Sequence, residues 1–391
     1  MKAVAVCLGD ITYISRFHRN IWVLKRLNFD TIAISLKPID NMNLTTSTNN
    51  MLIDGITRRL RHKIFSPLRY LEITIRFLLA IIKQHPNLLF ASNLPALVLG
   101  CISKLFIKNL ILIYDAMELE AGREYHAASI VPFDKKNRGS KAIEKYVIHQ
   151  ANLVLAADYA RTDKMIEWYR LKNIITCRNV PFLYKNIKNN RLIHHALNLT
   201  DNVFVLLYQG QIIENRGLEN SISSLVFLPE NIVFVLIGFG DVEYRNSLLS
   251  HAIGLGVDSR VFILPAVPYD ELLEWTASAD LVQVLTQNTS LSYYLAAPNK
   301  LYEAAMVGIP VVASNFPEIE RVIEKYQFGL TINPENPREI AAAIDTLFKD
   351  KTKYYFYRNN ALLASAEDLN WEKESSKLIS KIKELLDSKV I

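Results

Sequence analysis

Short apolar runs alternate with amphipathic stretches along most of this 391-residue chain. Runs such as 3–8 and 110–114 are apolar without interruption, which is typical of parallel strands buried on both faces. Stretches of helical spacing stand between such runs, so strands and helices alternate. The pattern therefore predicts an α/β protein with parallel sheets.

The same alternation of apolar runs and amphipathic stretches continues along the rest of the chain. We predict further strands at 31–36, 87–91, 152–156, 174–176, 203–208, 232–237, 261–264, 281–285 and 310–313. We predict helices at 15–27, 141–150, 161–169, 269–278, 299–307 and 337–348, and another starting at 218. We also predict an apolar helix that follows the turn 92–95 and ends at about 106, and a last amphipathic helix that follows residues 370–372 and ends at about 387. Polar loops are expected at 41–50 and 286–295.

The length predicts two domains, because 391 residues exceed what one ordinary core supports. The strand and helix pattern restarts after a linker placed at about 182–199. We expect a Rossmann-like domain at 1–185, a second at 186–365 and a C-terminal helix within 366–391.

The net charge of +6 conceals a split between the two halves. Residues 1–185 carry 27 Lys and Arg against 14 Asp and Glu, a net of +13, and the remainder carries −7. This asymmetry predicts an anionic partner for the first half. The basic run 58–63, with Arg69, Arg76 and Lys83 among apolar residues, fits an interfacial helix on an anionic membrane or a helix with solvated charges. No nucleic-acid recognition motif supports nucleic acid as the partner.

Cysteine usage and the N-terminus predict a cytoplasmic protein. Cys7, Cys101 and Cys177 are odd in number and scattered, which favours a reducing compartment and argues against a disulfide framework or a zinc site. We interpret residues 1–8 as a strand rather than a signal peptide. No uncharged apolar run reaches the roughly 18 residues that span a bilayer.

Lys300 and Glu303 lie three residues apart at the start of the predicted helix 299–307 and so share one face. The free N–H groups of a first helical turn favour an anion, and Lys300 adds a positive charge there. Glu303 is able to accept hydrogen bonds from the hydroxyls of a ribose. The pair fits a nucleoside diphosphate, although a solvated lysine and a surface glutamate fit the same spacing.

Three further charged residues follow predicted strands. Asp115 and Glu118 stand at the end of strand 110–114, where open α/β sheets bind ligands, but an N-cap and a first-turn acid explain them equally well. Arg216 follows a glycine-bearing turn just before a helix, which suits a phosphate or an ordinary exposed loop.

Gly238-Phe239-Gly240 forms a tight turn but lacks the third glycine of a dinucleotide fingerprint, because Glu243 stands there.

The run from Asn299-Lys300-Leu301-Tyr302-Glu303 to Gly308-Ile309-Pro310-Val311-Val312 resembles the N-K-L-x-E and G-x-P-V-V signature of retaining GT-B glycosyltransferases of the group 1 or GT4 type. Arg178-Asn179-Val180-Pro181 and the stretch 113–118 resemble other stretches of that family. The resemblance implies two Rossmann-like domains whose parallel sheets face a central cleft. It also implies that the last helix crosses back onto the first domain.

The implied function is metal-independent transfer of a sugar, with retention, from a UDP- or GDP-linked donor to a glycan or lipid-linked acceptor in cell-envelope polysaccharide synthesis. No cofactor is implied beyond the nucleotide-sugar co-substrate. The implied catalytic residues are Lys300, Arg216, Glu118 and Asp115. The implied donor-binding residues are Gly210, Gln211, Arg216, Gly238, Gly240, Pro265, Val267, Tyr294, Leu295, Asn299, Lys300, Leu301 and Glu303. The acceptor-side residues are Gly9, Asp10, Arg16 and His126.

Three positions depart from the family pattern. Leu295 stands where many relatives have a sugar-contacting Glu, Gln211 where many have Arg, and Met117 where His is usual. Methionine is unable to carry a proton, so His126 is the alternative acceptor-side group. These departures keep a non-catalytic binding subunit open as an alternative, and an epimerase of the same fold is a second.

Overall fold

The computed structural model describes residues 1–9, 11, 14–36, 52–56, 66–122, 138–185 and 190–388. The chain divides into two compact units. The first contains the described residues within Met1–Arg123, Phe133–Arg178 and Ser375–Ile391, and the second those within Asn179–Glu374. The division thus falls before residue 179 and again after 374, whereas the predicted boundaries are 185 and 365.

A parallel sheet of seven strands, counted over the described residues, forms the centre of the first unit. Its order is β3-β2-β1-β4-β5-β6-β7. The strands are β1 (Lys2–Cys7), β2 (Asp30–Leu36), β3 (Leu52–Ile56), β4 (Leu88–Ala91), β5 (Ile111–Ala116), β6 (Leu153–Ala156) and β7 (Ile174–Thr176). All residues of β4, β5 and β6 are buried, as their unbroken apolar runs predict.

Helices connect these strands. They are α1 (Ser15–Arg26), α2 (Ser66–Gln84), α3 (Leu94–Ser103), α4 (Arg138–Val147) and α5 (Tyr159–Tyr169). The start of α3 shows how the sequence sets a boundary: the Asn93 side chain accepts a hydrogen bond from the Ala96 N–H at 3.0 Å, and Pro95 occupies the first turn. Among the described helices, each falls short of the length and apolarity that a membrane crossing requires.

The second unit has a parallel sheet of six strands, again counted over the described residues, in the order β10-β9-β8-β11-β12-β13. The strands are β8 (Phe204–Gln209), β9 (Ile232–Ile237), β10 (Val261–Leu264), β11 (Leu281–Val284), β12 (Val311–Ser314) and β13 (Gly329–Ile332). Phe204, Leu206 and Tyr208 of β8 belong to a continuous apolar core with residues of β9, β11 and the flanking helices. The two Rossmann-like α/β units that the pattern predicts are confirmed.

The helices of the second part of the chain begin in the segment predicted as a linker. They are α6 (Leu192–Leu197), α7 (Leu218–Ser224), α8 (Val242–Gly254), α9 (Leu272–Ala277), α10 (Leu291–Tyr294), α11 (Asn299–Met306), α12 (Pro317–Tyr326), α13 (Pro337–Lys349), α14 (Lys351–Glu367) and α15 (Trp371–Asp387). The predicted helix at 299–307 is confirmed as α11, and the predicted tail helix as α15. From Ser375 onward the residues of α15 belong to the first unit, with Leu378 and Ile382 fully buried.

Several elements were not predicted. The strand β3 lacks an unbroken apolar run, because Asp54 and Gly55 interrupt it, and its pairing with β2 compensates. The helix α6 lies inside the predicted linker, and α10 inside the predicted loop 286–295. The helix α12, which is absent from the predicted helices, begins at Pro317, and proline is favoured at a first helical position.

Candidate functional site

The carboxyl end of β8 and its neighbour β11 mark the point where the strand order of the second sheet reverses. Chain order runs outward from β8 to β9 and β10 on one side, and from β11 to β12 and β13 on the other. In open parallel sheets this reversal opens a crevice at the carboxyl ends of the strands, where ligands bind. The loops after β8 and β11 and the start of α11 carry most of the predicted donor residues.

Lys300 is the second residue of α11 and is buried, with 9% of its surface exposed. Its ammonium nitrogen lies 3.7 Å from the centre of the Tyr208 ring, at the end of β8. Burial, and then the nearby charge of Arg216, lower the pKa of Lys300 well below the ordinary lysine value, and Glu303 opposes this only in part. A phosphate placed here would restore the favourable environment for the charged form.

Glu303 lies one turn further along α11 and is also buried. Its Oε2 accepts a hydrogen bond of 2.6 Å from Nε2 of Gln209, the last residue of β8. Oε1 of Gln209 accepts in turn from the Thr276 hydroxyl at 2.6 Å. The structure therefore fixes the carboxylate of Glu303 through a side-chain relay, and Glu303 is not the surface residue that the alternative interpretation assumed.

Arg216 lies in the loop between β8 and α7 and is half-buried. Its guanidinium carbon is 4.8 Å from the ring centre of Tyr293, on α10. The loop is held against the end of β11, because the Gln287 N–H donates to the Asn215 carbonyl at 3.1 Å. Lys300 and Arg216 thus place two cations in one region, and their mutual repulsion contributes to the lowered pKa of Lys300.

The predicted glycines hold two loops against each other. Gly210 has φ +128°, and a Cβ at that position would lie 3.8 Å from the Lys300 ammonium nitrogen. A Cβ on Gly238 would overlap the Gly210 carbonyl, and one on Gly240 would overlap the Ile212 carbonyl. The turn at 238–240 therefore approaches the backbone at 210–212 closely.

The other predicted donor residues vary in accessibility. Gln211 and Pro265 are exposed, whereas Val267, Tyr294 and Asn299 are half-buried and Leu295 and Leu301 are buried. Asn299 Oδ1 accepts a hydrogen bond from Asn179 Nδ2, and the Tyr294 ring contacts that of Phe316 at 5.0 Å. Leu301 is fully buried, so its side chain packs in the interior.

In the first unit, Arg16 and Asp115 form a buried ion pair. Nε of Arg16 lies 2.8 and 2.9 Å from the two carboxylate oxygens of Asp115, and Nη2 lies 2.7 Å from Oδ1. Asn20 donates to Asp115 at 2.6 Å, and Arg16 donates to the Cys177 carbonyl at 2.6 Å. Asp115 is 0% exposed, so this geometry supports a structural role for both residues rather than the predicted contact with substrate.

The remaining first-unit residues are placed less tightly. Gly9 is half-buried, and its carbonyl accepts from the Leu36 N–H at 3.2 Å. Glu118 is exposed after β5, and it remains a predicted catalytic residue. Asp10 and His126 lie outside the described residues, as does the basic run 58–63.

Sequence reasoning missed four residues that build the site: Tyr208, Gln209, Thr276 and Tyr293. Tyr208 and Gln209 are the last residues of a strand whose other residues are apolar. The apolar pattern therefore predicted core residues there rather than binding residues. A polar glutamine directly before a strand-end glycine was the available signal. Within the described residues, no group of three or more His, Cys, Asp or Glu is arranged to hold a metal ion.

Residues 189–363 match the family model described as glycosyl transferases group 1. This part of the chain is similar to the group 1 glycosyltransferases. The matched region contains β8 to β13 and the whole site built around Lys300, Glu303 and Arg216.

Individual glycosyltransferases are also similar to part of this chain. An uncharacterized glycosyltransferase of Methanocaldococcus jannaschii is 23% identical over 244 residues, 60% of this chain and 58% of the relative. The chain spans about half the length of the curated relatives it matches, 58% here and 44% for a second glycosyltransferase of the same archaeon.

Solved structures extend the likeness over nearly the whole chain. The Anabaena protein HepE, solved with UDP and with UDP-glucose, matches with a TM-score of 0.77 at 17% identity, over 98% of this chain and 100% of HepE. A sucrose-phosphate synthase from Thermosynechococcus elongatus matches with a TM-score of 0.78 at 16% identity, over 99% of this chain and 100% of that one. These matches confirm the predicted GT-B fold class.

Proposed function

We propose that this chain transfers a sugar from a UDP- or GDP-linked donor to a glycan or lipid-linked acceptor, with retention of configuration, in the cytoplasm and in cell-envelope polysaccharide synthesis. The observation that carries the proposal is the placement of Lys300, Arg216 and Glu303 around the strand-order reversal of the second sheet. The UDP and UDP-glucose complexes of HepE support a nucleotide-sugar donor.

The charges fit the chemistry of a leaving nucleoside diphosphate. In the transfer, the bond between the anomeric carbon and the β-phosphate oxygen breaks, and the diphosphate keeps the electron pair. The acceptor oxygen bonds the anomeric carbon on the same face, and its proton passes to the departing phosphate. Lys300 and Arg216 stabilise the charge that develops on that phosphate, so we propose that no metal is required. Each charge-assisted hydrogen bond contributes roughly 1.5–3 kcal/mol.

Glu303 serves the ribose in this proposal. Its buried carboxylate is held by Gln209 and faces the same region as Lys300, one helical turn away. A ribose offers two hydroxyl donors, whereas the phosphates offer none, so the carboxylate selects the sugar end of the nucleotide.

The first test is a thermal-shift panel with UDP, GDP and ADP and their sugar conjugates. A ligand at about 100 times its dissociation constant adds roughly 2.7 kcal/mol to the folded state, enough to move the midpoint by several degrees. We expect one base to produce this shift and Lys300→Ala to weaken the affinity at least about tenfold. Lys349→Ala, at an exposed lysine of α13, is the matched control and should bind as the wild type does.

A transfer assay then separates the proposed reaction from its alternatives. Retention predicts that the product has the anomeric configuration of the donor, which NMR determines. Metal independence predicts an unchanged rate in EDTA, and a rate restored only by a divalent ion would contradict it. Conversion of the donor sugar without any acceptor would indicate an epimerase, and the absence of a shift with every nucleotide would indicate a non-catalytic subunit.

A further inference from the structure

The helix α2 is apolar on two opposite faces. Ile73, Phe77 and Ile81 are buried against the first unit, with 5%, 0% and 0% exposure. On the other side, Leu71, Ile75 and Leu79 follow one another at four-residue spacing and are 56%, 47% and 60% exposed. A helix that is apolar all round is normally buried, so among the residues that the structure describes the outer face of α2 lacks the cover that its composition predicts.

The neighbouring helices extend this exposed face. The helix α2 packs against α3, and α3 packs against α4. Leu105 and Phe106, just after α3, are 81% and 61% exposed, and Tyr146 on α4 is 77% exposed. We name this set the α2–α4 apolar surface; its members are Leu71, Ile75, Leu79, Leu105, Phe106 and Tyr146. Soluble proteins rarely leave so many large apolar side chains exposed on adjacent helices without a partner.

The charges on these three helices are mainly positive. Lys83, Lys108 and Lys145 are exposed, whereas Glu144 is 1% exposed and accepts hydrogen bonds from two buried tyrosines. Glu72 is matched by Arg76, 3.7 Å away. Lys83 follows Leu79 at the same four-residue spacing, and Lys108 and Lys145 lie within two residues of Phe106 and Tyr146 along the chain. These lysines belong to residues 1–185, which carry a net charge of +13.

We propose that the α2–α4 apolar surface binds the face of an anionic lipid bilayer. A bilayer supplies an apolar layer for Leu71, Ile75 and Leu79 and negative headgroups for the exposed lysines of the same segments. A second copy of the chain would bring the same positive charges into contact, which opposes self-association through this face. The inference is independent of the nucleotide site in the second unit.

The test is co-sedimentation of the full chain with phosphatidylcholine vesicles, with or without about one third phosphatidylglycerol. We expect binding to the anionic vesicles that falls at least about tenfold in Leu71→Ser/Leu79→Ser. The matched control is Ile253→Ser/Leu363→Ser in the second unit, at residues 65% and 57% exposed, which should bind as the wild type does. Near-UV circular dichroism confirms that each variant is folded.

Three results would overturn the proposal. The first is undiminished vesicle binding by the folded Leu71→Ser/Leu79→Ser variant. The second is equal binding to vesicles with and without phosphatidylglycerol. The third is a concentration-dependent dimer, seen by light scattering and lost in that variant, which would assign the surface to a second copy.

A second inference comes from a separate observation, the relay from Thr276 through Gln209 to Glu303. Gln209 is 3% exposed, and both ends of its amide are engaged at 2.6 Å. A carboxylate only accepts hydrogen bonds, so the amide nitrogen must face Glu303 and the amide oxygen must face the Thr276 hydroxyl. The orientation of the amide is therefore determined by its two partners.

We infer that Gln209 is a positioning residue that holds Glu303 for the ribose hydroxyls, an inference that rests on the proposed function. Without the amide, the Glu303 side chain would gain rotameric freedom and lose its fixed approach to a bound diol. The effect should be confined to ligands that carry those hydroxyls.

The experiment takes the nucleoside diphosphate whose base produces the thermal shift and compares it with its 2′,3′-dideoxy analogue on wild type, Gln209→Leu and Thr276→Val by calorimetry. We expect the wild type to prefer the ribose form and Gln209→Leu to lose at least about fivefold in affinity for it, with dideoxy affinity changed less than about twofold. Thr276→Val should shift the preference in the same direction by less. A preference retained in Gln209→Leu, or an equal loss for both ligands, would overturn the inference. A wild type that binds neither ligand, or both equally, would instead contradict the proposed role of the nucleotide site.

Discussion

Arg16 and Lys300 are buried cations in equivalent places, each the second residue of a helix beside the strand ends of its own sheet. A cation is unfavourable at a helix N-terminus, so each position calls for an anion. Arg16 has one, because Asp115 binds it through three contacts of 2.7 to 2.9 Å. Lys300 has the Tyr208 ring at 3.7 Å, and among the described residues no carboxylate forms an ion pair with it.

The pKa values express this difference. Burial is the largest single effect on both residues and opposes their charge, but at Arg16 the attractions of Asp115, Cys177 and Asp158 together outweigh it and the pKa is raised. At Lys300 burial and then Arg216 keep the pKa well below its ordinary value. A buried charge that is satisfied within the fold serves structure, and one that is left without its counter-ion indicates a site for an anionic ligand.

The largest change in stability is expected from removing Asp115, the carboxylate that pairs with Arg16. Asp115→Ala leaves Arg16 buried without its counter-ion and should lower the free energy of unfolding by about 3–5 kcal/mol. Urea unfolding measures this, with Asp345→Ala in the exposed pair with Lys349 as a control that changes little. The double variant Arg16→Met/Asp115→Leu should recover much of the loss. A stable Asp115→Ala protein without transfer activity would restore the predicted catalytic role of Asp115.

In the second unit, removing the buried cation is expected to raise the free energy of unfolding rather than lower it. Lys300→Met removes a poorly tolerated charge and should stabilise the empty protein by about 1 kcal/mol at neutral pH. Between the lowered folded pKa and the ordinary unfolded value, the unfolded chain binds more protons, so the stability of the wild type rises with pH. The advantage of Lys300→Met should therefore shrink as the pH approaches 10, near the ordinary lysine pKa. Destabilisation by Lys300→Met at neutral pH would contradict the comparison.

Ligand affinity should depend on pH through the same residue. Because the empty site disfavours the charged form and a diphosphate favours it, binding is coupled to proton uptake. The affinity for UDP should weaken as the pH rises above the lowered pKa, by at most about tenfold per pH unit. Calorimetry in buffers of different ionisation enthalpy measures the uptake. Lys300→Arg, which stays charged, should abolish the slope, and a slope retained there would assign it to another group.

The smallest effect on nucleotide binding is expected from a substitution of Arg216. Arg216→Lys keeps the charge but loses the planar contact with the Tyr293 ring at 4.8 Å. We expect a loss of about 0.5–1 kcal/mol in nucleotide binding, measured by calorimetry, and little change in stability. Arg338→Lys, at an arginine over the Phe227 ring, is a matched control that should leave binding unchanged.

The sequence predicts elements well where one face or both faces are regularly apolar. The strand β9 has the predicted bounds because every residue from Ile232 to Ile237 is apolar and buried. The strand β3 was missed because its stability comes from pairing with β2 rather than from its own composition. The local apolar pattern is sufficient to predict β9. The strand β3 depends on pairing with residues that are distant in sequence, so local pattern does not predict it.

The same distinction applies to the site. Lys300 and Glu303 were found because their spacing on one helix is a local property. The burial of Asp115 depends on Arg16, 99 positions earlier, and no local reading reveals that pairing. Gln209 was missed for a related reason, since its partner Glu303 lies 94 positions away.

The discontinuous first unit has a consequence for biosynthesis. Its part of α15, with Leu378 and Ile382 in the interior, follows the entire second unit along the chain. At the usual rate of translation the ribosome needs roughly 10 to 40 seconds to make the intervening residues. During that interval the first unit lacks its closing helix while the second is already being completed. We therefore expect the second unit to complete its fold before the first, although the first begins earlier along the chain.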